Sequence, residues 1–202
     1  MSQYIFNTAA GEQRAIRSGD GAQPEAWTTA RNAATSTDSS STLIVYGGSN
    51  SNIQRVFLPF DTSSIPNKAS IISATLEFYR DDSIDEYRND DSTRVDLIQT
   101  TQASGTSYGS GDWDSIAWTS GGIINFASTT NGAYNTITLN QPALEWINKT
   151  GYTKLCLVTG RDFDDATTPN TNQVDMQNRA SGNPIKLTII AKTLPFPGFF
   201  QS

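Results

Sequence analysis

Short segments in which apolar and polar residues alternate, separated by turn residues, constrain this chain more than any other feature of its sequence. The clearest is residues 74–79 (ATLEFY), and residues 55–60 and 185–190 show the same period of two. Four further segments are rich in β-branched or aromatic residues: 42–46, 94–99, 134–139 and 155–159. Clusters of Gly, Asn, Asp, Ser and Pro separate them. The sequence therefore predicts an all-β fold, an antiparallel jelly-roll-like β-sandwich.

The length of the chain fits one such sandwich. Its 202 residues suit a single domain, which we place at residues 1–190, with the arrangement of residues 1–41 left open. Residues 191–202 form a separate apolar arm rich in Pro and Phe. Because residues i and i+2 share one face of a strand, we expect Leu76, Phe78 and Phe57 to be buried between the two sheets.

At most one short helix is expected, at residues 141–148, where Asn140 is suited to cap the first turn. Leu144 and Ile147, three residues apart, would face the sandwich and plug one end of it. Residues 19–41 and 80–92 are low in hydrophobicity and are predicted to be long loops.

Composition excludes several classes of function. The chain has no histidine and one cysteine, so Ser-His-Asp and Cys-His catalysis, His-ligated zinc and an internal disulfide are impossible. We therefore predict no enzyme activity and no organic cofactor. The 14 Lys and Arg against 20 Asp and Glu give a net charge of −6 without a basic cluster, which argues against nucleic acid. No segment approaches the ~20 apolar residues of a membrane span, and the N-terminal residues lack the pattern of a signal peptide.

Two polar residues in apolar surroundings have local explanations. Asp61 follows a strand and precedes Thr62 and Ser63, so we expect its carboxylate to accept backbone N–H groups in an Asx-type turn. Cys156 lies in the apolar segment 155–158 and is predicted to be an inert, buried thiol.

Two groups of acidic residues are candidates for a calcium site, because Ca²⁺ prefers several carboxylate oxygens from loops. The candidate ligands are Asp81, Asp82, Asp162, Asp164 and Asp165. No EF-hand spacing is present, and solvated loops neutralised by nearby arginines are the alternative explanation. The arginines concerned are Arg80, Arg88, Arg94 and Arg161.

Aromatic residues beside polar segments are candidates for stacking on sugar rings, with packing at edges as the alternative. The candidates are Trp27, Tyr87, Tyr108 and Trp113. Trp118 and Trp146 are predicted to pack in the core.

The C-terminal arm combines two prolines with three phenylalanines, so it suits neither regular secondary structure nor free exposure. We predict that its apolar residues form an interface with another subunit, and packing across one end of the same sandwich is the alternative. The interface residues are Leu194, Phe196, Phe199 and Phe200.

Residues 54–66 (QRVFLPFDTSSIP), followed by residues 69–79, resemble the DNRLRE-type β-sandwich domains. Residues 112–118 are similar to the tryptophan segment of that family, and residues 147–157 and 184–189 look like its short helix and closing strand. The resemblance implies a jelly-roll-like sandwich of accessory, non-catalytic character. Such domains occur in secreted polysaccharide-associated proteins, cell-surface proteins and phage structural proteins, and some relatives bind carbohydrate.

Taken together, these features predict a non-catalytic structural or assembly protein, namely a decoration, cement or tail-associated component of a phage virion. Its partners would be other protein subunits, in a homo-oligomer or a capsid or tail shell. The alternative is a carbohydrate-binding or adhesion module that binds a surface glycan. A glycan-active enzyme with two carboxylates is permitted but has no supporting motif. The expected location is the virion or an extracellular surface.

Overall fold

Each of the alternating segments overlaps a β-strand of the protein, which a computed structural model describes over residues 1–8, 13–18, 25–34, 36–39, 43–47, 52–86, 94–166, 172–177 and 181–193. The described strands are β1 (Ser2–Asn7), β2 (Gln13–Ser18), β3 (Thr37–Ser39), β4 (Leu43–Gly47), β5 (Asn52–Asp61), β6 (Ser70–Glu86), β7 (Arg94–Thr100), β8 (Ile116–Asn125), β9 (Tyr134–Thr138), β10 (Tyr152–Thr159), β11 (Asn172–Met176) and β12 (Lys186–Lys192). All the pairings among them are antiparallel. The predicted antiparallel β-sandwich is thus confirmed.

The long strand β6 links the two sheets. Its first part pairs with β12 on one side and β9 on the other, and β1 completes this sheet, which we call sheet I, by pairing with β12. Residues 80–86 of β6 pair instead with β11. Sheet II continues from there through β4, β5, β10, β7 and β8, while β2 pairs with β5 and β3 pairs with β2.

The main core lies between the two sheets, where the period of two places apolar side chains inward. Leu76 and Phe78 of β6 are fully buried there, as predicted, against Val56, Leu58 and Phe60 of β5. Ala69 and Ile65 close the core beside the loop between these strands.

One end of this core is plugged by the predicted helix, α2 (Gln141–Leu144). The Asn140 side chain accepts a hydrogen bond from the Ala143 N–H at 3.1 Å, which caps the helix. Leu144 and, just beyond the helix, Ile147 both pack into the core, as expected.

Sheet II is covered on its outer face as well, which the sequence analysis did not predict. A second apolar cluster lies there and includes Trp27, Tyr108 and Trp113. Phe57 belongs to this cluster and not to the space between the sheets, so its predicted position is wrong. Phe57 lies on the face of β5 opposite Val56, and its ring packs on Tyr108 with centroids 4.7 Å apart. Because both faces of β5 meet apolar layers, the strand has no solvent-facing side over residues 55–60.

Short helices build this outer layer, and they add to the single helix predicted. Helix α1 (Glu25–Arg31) lies inside the predicted loop 19–41 and buries Ala26, Trp27 and Ala30 on one face. Helix α3 (Gly160–Phe163) follows β10. Residues 80–86 of the second predicted loop, 80–92, are part of a strand instead, because β6 continues to Glu86. In the described ranges, none of the helices is long and apolar enough to cross a membrane.

The loop after β5 begins with the predicted turn. The Asp61 carboxylate accepts hydrogen bonds from the Ser63 N–H at 3.1 Å and from the Ser63 hydroxyl at 2.6 Å. These bonds favour the charged form and lower the pKa of Asp61.

The outer layer predicts that Phe57 stabilises the protein as much as a residue of the main core. We expect Phe57→Ala and Phe78→Ala each to lower the free energy of unfolding by about 3–5 kcal/mol, measured by urea denaturation. Ile123→Ala is the control, because Ile123 is exposed on β8 and its truncation should change stability by less than about 0.5 kcal/mol. A Phe57→Ala variant no less stable than the Ile123→Ala variant would contradict the two-core arrangement.

Candidate functional site

A buried ion pair lies at the centre of the outer layer of sheet II. Arg55 of β5 is 0% exposed, and its guanidinium meets the buried carboxylate of Asp162 in α3. Nε donates to Oδ2 at 2.7 Å and Nη2 donates to Oδ1 at 3.0 Å. This two-point contact is the strong geometry for an arginine and a carboxylate.

The other donors of Arg55 bind backbone carbonyl groups of two separate segments. Nη1 donates to the Trp113 carbonyl at 2.8 Å, and Nη2 also donates to the Arg31 carbonyl at the end of α1 at 3.2 Å. One side chain therefore joins β5 to α1, to the segment around Trp113 and to α3. A buried charge needs this degree of pairing to be tolerated.

Local structure sets the position of Asp162. The Thr159 hydroxyl accepts a hydrogen bond from the Asp162 N–H at 3.2 Å, which caps α3 directly after β10. Strands β10 and β5 pair directly, with Leu157 opposite Val56. The cap therefore begins α3 beside the position of Arg55.

Aromatic rings cover the ion pair. The Arg55 guanidinium carbon lies 3.9 Å from the centre of the Trp113 ring and 5.1 Å from that of Trp118. The Arg31 guanidinium carbon lies 3.9 Å from the centre of the Trp118 ring. Trp113 is fixed in turn by its indole N–H, which donates to the Ala30 carbonyl at 3.0 Å. These are cation–π contacts, which gain strength where water is excluded.

A second set of ion pairs lies beside the first. Arg94 of β7 contacts Asp164 in a two-point arrangement at 2.9 and 3.0 Å, and its Nε lies 2.8 Å from Asp96. The Ser120 hydroxyl donates to Asp96 at 3.0 Å. Burial raises the pKa of Asp96, and the neighbouring Arg94 opposes that shift.

Trp118 is the most exposed aromatic residue of this network. Its side chain is 37% exposed, whereas Arg55 is 0% exposed and the Arg31 side chain is 11% exposed. The indole therefore contacts both guanidinium groups while part of the residue stays accessible to solvent. Phe163 packs edge-on against it with centroids 6.3 Å apart. We call Trp118, Phe163, Arg31, Asp164 and Asp165 the tryptophan surface.

Exposed and half-buried apolar residues also lie on the strands at the opposite end of the strand path, on sheet I. Ile5 of the edge strand β1 is 61% exposed, and Ile72 of β6 is 46% exposed. Ile72 lies at an irregularity in the pairing of β6 with β12, beside the half-buried Ile190. We call Ile5, Ile72 and Ile190, together with the exposed Met1, the isoleucine edge.

A shallow groove of about 390 Å³ adjoins the isoleucine edge at the end of the sandwich. Its lining includes Ile71, Leu144 and Ile147. Lys149 fixes the rim, since its Nζ donates to the carbonyl groups of Asn67 at 2.7 Å and Ala69 at 2.8 Å.

The structure buries three of the four predicted glycan-stacking residues. Trp27, Trp113 and Tyr108 are buried in the second apolar cluster, so their ring faces are not available to a sugar. The Tyr108 hydroxyl pairs with Ser36 at 2.5 Å, and burial raises the pKa of Tyr108 to about 12. Tyr87 lies outside the described residues.

The two tryptophans predicted for the core differ from each other. Trp146 packs against the main core, as expected. The prediction for Trp118 is wrong, because this ring covers a charged network and not an apolar one.

The predicted calcium ligands are also used differently. Asp162, Asp164 and Asp165 each contact an arginine, and Asp162 is buried instead of solvated. Asp81 is exposed on β6, and the side chain of Asp82 lies outside the described part. Where the structure describes the chain, no three acidic, histidine or cysteine side chains are grouped to hold a metal ion.

The predicted interface residues Leu194, Phe196, Phe199 and Phe200 lie outside the described residues. The structure describes the residues directly before this segment. Strand β12 ends at Lys192, opposite Ser70 of β6 and next to the start of β1.

A comparison with models of known protein families finds no match, and a search of curated proteins finds none either.

The buried pair of Arg55 and Asp162 predicts that removal of one charge lowers the free energy of unfolding more than removal of both. Arg55→Met leaves the buried Asp162 carboxylate with only the more distant Arg31, whose Nε lies 3.5 Å from Oδ1. We therefore expect a loss of about 3 kcal/mol in the free energy of unfolding by urea denaturation. The double variant Arg55→Met/Asp162→Leu removes both charges and should be clearly more stable than the single variant. Equal stabilities of the wild type and the single variant would show that the pair does not hold the layer.

The reactivity of the Cys156 thiol is expected to report whether the outer layer of sheet II is closed. The thiol is fully buried, and burial raises its pKa well above the usual range, so the reactive thiolate is suppressed. We expect no reaction with a thiol-labelling reagent in the native protein and complete reaction in denaturant. Fast labelling of the native protein would show that the layer opens readily.

Proposed function

We propose that this protein is a non-catalytic structural β-sandwich that assembles with other protein subunits, as a decoration, cement or tail-associated component of a phage particle. The observation that carries the proposal is the isoleucine edge, an exposed apolar patch at the point where β12 ends and the Phe-rich C-terminal segment begins. The resemblance to DNRLRE-type domains, some of which occur in phage structural proteins, favours the same function.

The arrangement of acidic groups supports a structural role. Asp162 and Asp96 form ion pairs with arginines. The Asp112 carboxylate accepts hydrogen bonds from the N–H groups of Ala103 and Gly109, both at 2.8 Å, and so shapes the loop before β8. The interactions of these carboxylates therefore stabilise the fold.

The position of the isoleucine edge suits an exchanged arm. Lys192 lies opposite Ser70, and Ser70 and Ile71 line the groove beside Ile72. A segment that leaves β12 at this point begins beside a surface with apolar side chains and a ready groove. In the assembly we propose, residues 194–200 of one copy occupy the groove and isoleucine edge of a neighbouring copy.

The energetics of such an arm are favourable. Burial of Phe196, Phe199 and Phe200 would contribute about 1.5–3 kcal/mol each. Pro195 and Pro197 restrict the free segment, which lowers the entropy lost when it docks. The arm could thus supply a substantial part of an interface.

Removal of the arm tests the proposal. We expect the full chain to form an oligomer in size-exclusion chromatography with light scattering, and deletion of residues 194–202 to give a monomer with an unchanged melting temperature. Ile5→Lys and Ile72→Lys should weaken the oligomer, because each places a charge on the docking surface. Ile123→Lys is the matched control, since Ile123 is equally exposed but lies on sheet II.

A chain that is monomeric at all concentrations, and that loses thermal stability when residues 194–202 are deleted, would overturn the proposal. That result would mean that the segment completes the core of its own sandwich.

A further inference from the structure

In the proposed assembly the arm contacts apolar side chains, which leaves the backbone edge of β1 unused. Among the described strands, β1 pairs with β12 alone, so it is the outermost strand of sheet I. We propose that this edge pairs antiparallel with β1 of a second copy of the chain, so that sheet I continues from one subunit into the next. The inference rests on the proposed function only in taking the partner to be another copy, and the edge can pair whether or not the arm docks.

The hydrogen bonds between β1 and β12 show which backbone groups face the open edge. The Thr8 N–H, directly after the strand, donates to the Ile185 carbonyl at 3.0 Å. The register of the two strands is regular over the whole of β1, and successive residues of an antiparallel strand direct their backbone groups to opposite edges. The even-numbered residues therefore bond to β12, and the N–H and C=O groups of Gln3, Ile5 and Asn7 point away from it.

This edge lacks the features by which proteins usually prevent such pairing, which are charged side chains, proline, a bulge or a very short strand. Strand β1 has six residues (SQYIFN), none of them charged and none a proline, and its pairing with β12 shows no irregularity. At the other end of the strand path, β8 has two irregularities in its pairing with β7. Strand β3, at the edge beside β2, has only three residues. Of these three edges, that of β1 is the one suited to accept another strand.

Symmetry selects the same strand of a second copy as the partner. A two-fold axis through Ile5 places this residue opposite itself and places Gln3 opposite Asn7 of the other copy. All three residues then lie in hydrogen-bonded pairs, because each directs its N–H and C=O groups to the shared edge. Contacts between identical surfaces about a two-fold axis are the commonest kind in homo-oligomers.

The same register matches the side chains on both faces of the sheet. On the inner face, Tyr4 and Phe6 pack against the main core and come opposite each other across the axis, as a favourable aromatic pair. On the outer face, Ile5 is 61% exposed and meets Ile5 of the other copy. The side-chain amides of Gln3 and Asn7 can hydrogen-bond to each other there. No like charges are brought together, because the strand has none.

The edge contact is expected to be weak by itself. The pairing of two single strands is small compared with the about 1,200–2,000 Å² that stable protein interfaces bury. Further burial by the arm would hold the edges together in the assembly, and a chain without residues 194–202 would separate on size-exclusion chromatography. A covalent trap detects a weak contact as well as a strong one, so the test uses a disulfide.

A cysteine at the two-fold axis tests the proposal. The Cα atoms of a hydrogen-bonded antiparallel pair are about 5.5 Å apart, which suits a disulfide. With diamide as the oxidant, we expect Ile5→Cys to form a covalent dimer about tenfold faster than Ile72→Cys or Ile123→Cys, measured by non-reducing electrophoresis. Both control positions are exposed but lie on other strands. The native Cys156 is buried and does not interfere.

A change in the backbone edge provides the matched control. Gln3→Pro in the Ile5→Cys chain removes an N–H that faces the open edge and leaves the hydrogen bonds to β12 in place. We expect it to slow the cross-link by about tenfold, whereas Gln3→Thr, which keeps the N–H, should not.

Hydrogen–deuterium exchange of the wild type is a second measurement that needs no variant. The amides of Ile5 and Asn7 should exchange about tenfold more slowly in concentrated than in dilute protein. The amides of Tyr4 and Phe6, which bond to β12, should exchange at the same rate at both concentrations.

An Ile5→Cys cross-link no faster than that of Ile123→Cys would overturn the proposal, and so would exchange at Ile5 and Asn7 that does not depend on concentration. Repeating the cross-link without residues 194–202 separates the edge from the arm. A fast Ile5→Cys cross-link in a chain whose oligomeric state is unchanged by the deletion would support the edge and refute the arm. An oligomer that is lost on deletion, but that gives no Ile5→Cys cross-link in the full chain, would support the arm and refute the edge.

Discussion

The buried contact between Arg55 and Asp162 is the interaction on which the outer layer of this sandwich depends. A charged pair in an apolar layer stabilises a structure only when its remaining donors are also satisfied. Here they bind the carbonyl groups of Trp113 and Arg31, which belong to two different segments. The Arg55 side chain needs these hydrogen bonds to be buried, and through them it holds α1, α3 and the segment around Trp113 on sheet II. Trp118 lies near the same guanidinium, 5.1 Å from its carbon to the ring centre, and is partly exposed.

The sequence predicted the sandwich because period-two alternation acts over a few residues, and it predicted the cap at Asn140 and the turn at Asp61 for the same reason. It did not predict the second layer, because Arg55 and Asp162 are 107 residues apart and no local pattern pairs them. The sequence does contain one local sign of the second layer. Residues 56–60 are apolar on both faces, which is typical of a strand covered on both sides. A sandwich with a single core would place Phe57 between the sheets, and the second layer is the reason that Phe57 lies elsewhere.

Among the exposed large apolar residues of the described ranges, Ile5 lies on β1 and Trp118 and Ile123 lie on β8, the two terminal strands of the sheet path, while Ile72 lies on β6. An edge strand has unpaired backbone N–H and C=O groups that could pair with another chain. Irregular pairing, such as a β-bulge, is one way in which proteins prevent this. Strand β8 has two such irregularities, and Trp118 lies in one of them, between Ala117 and Ser120. The isoleucine edge and the tryptophan surface therefore lie on different sheets of the sandwich.

Hydrogen–deuterium exchange on the Arg55→Met variant tests the central claim, that this arginine holds the outer layer to sheet II. We predict that backbone amides in residues 25–31, 110–115 and 160–165 lose protection, while β1 and β12 of sheet I keep the protection they have in the wild type. A uniform loss across both sheets would show that Arg55 supports the whole fold. Unchanged protection in the outer layer would contradict the account.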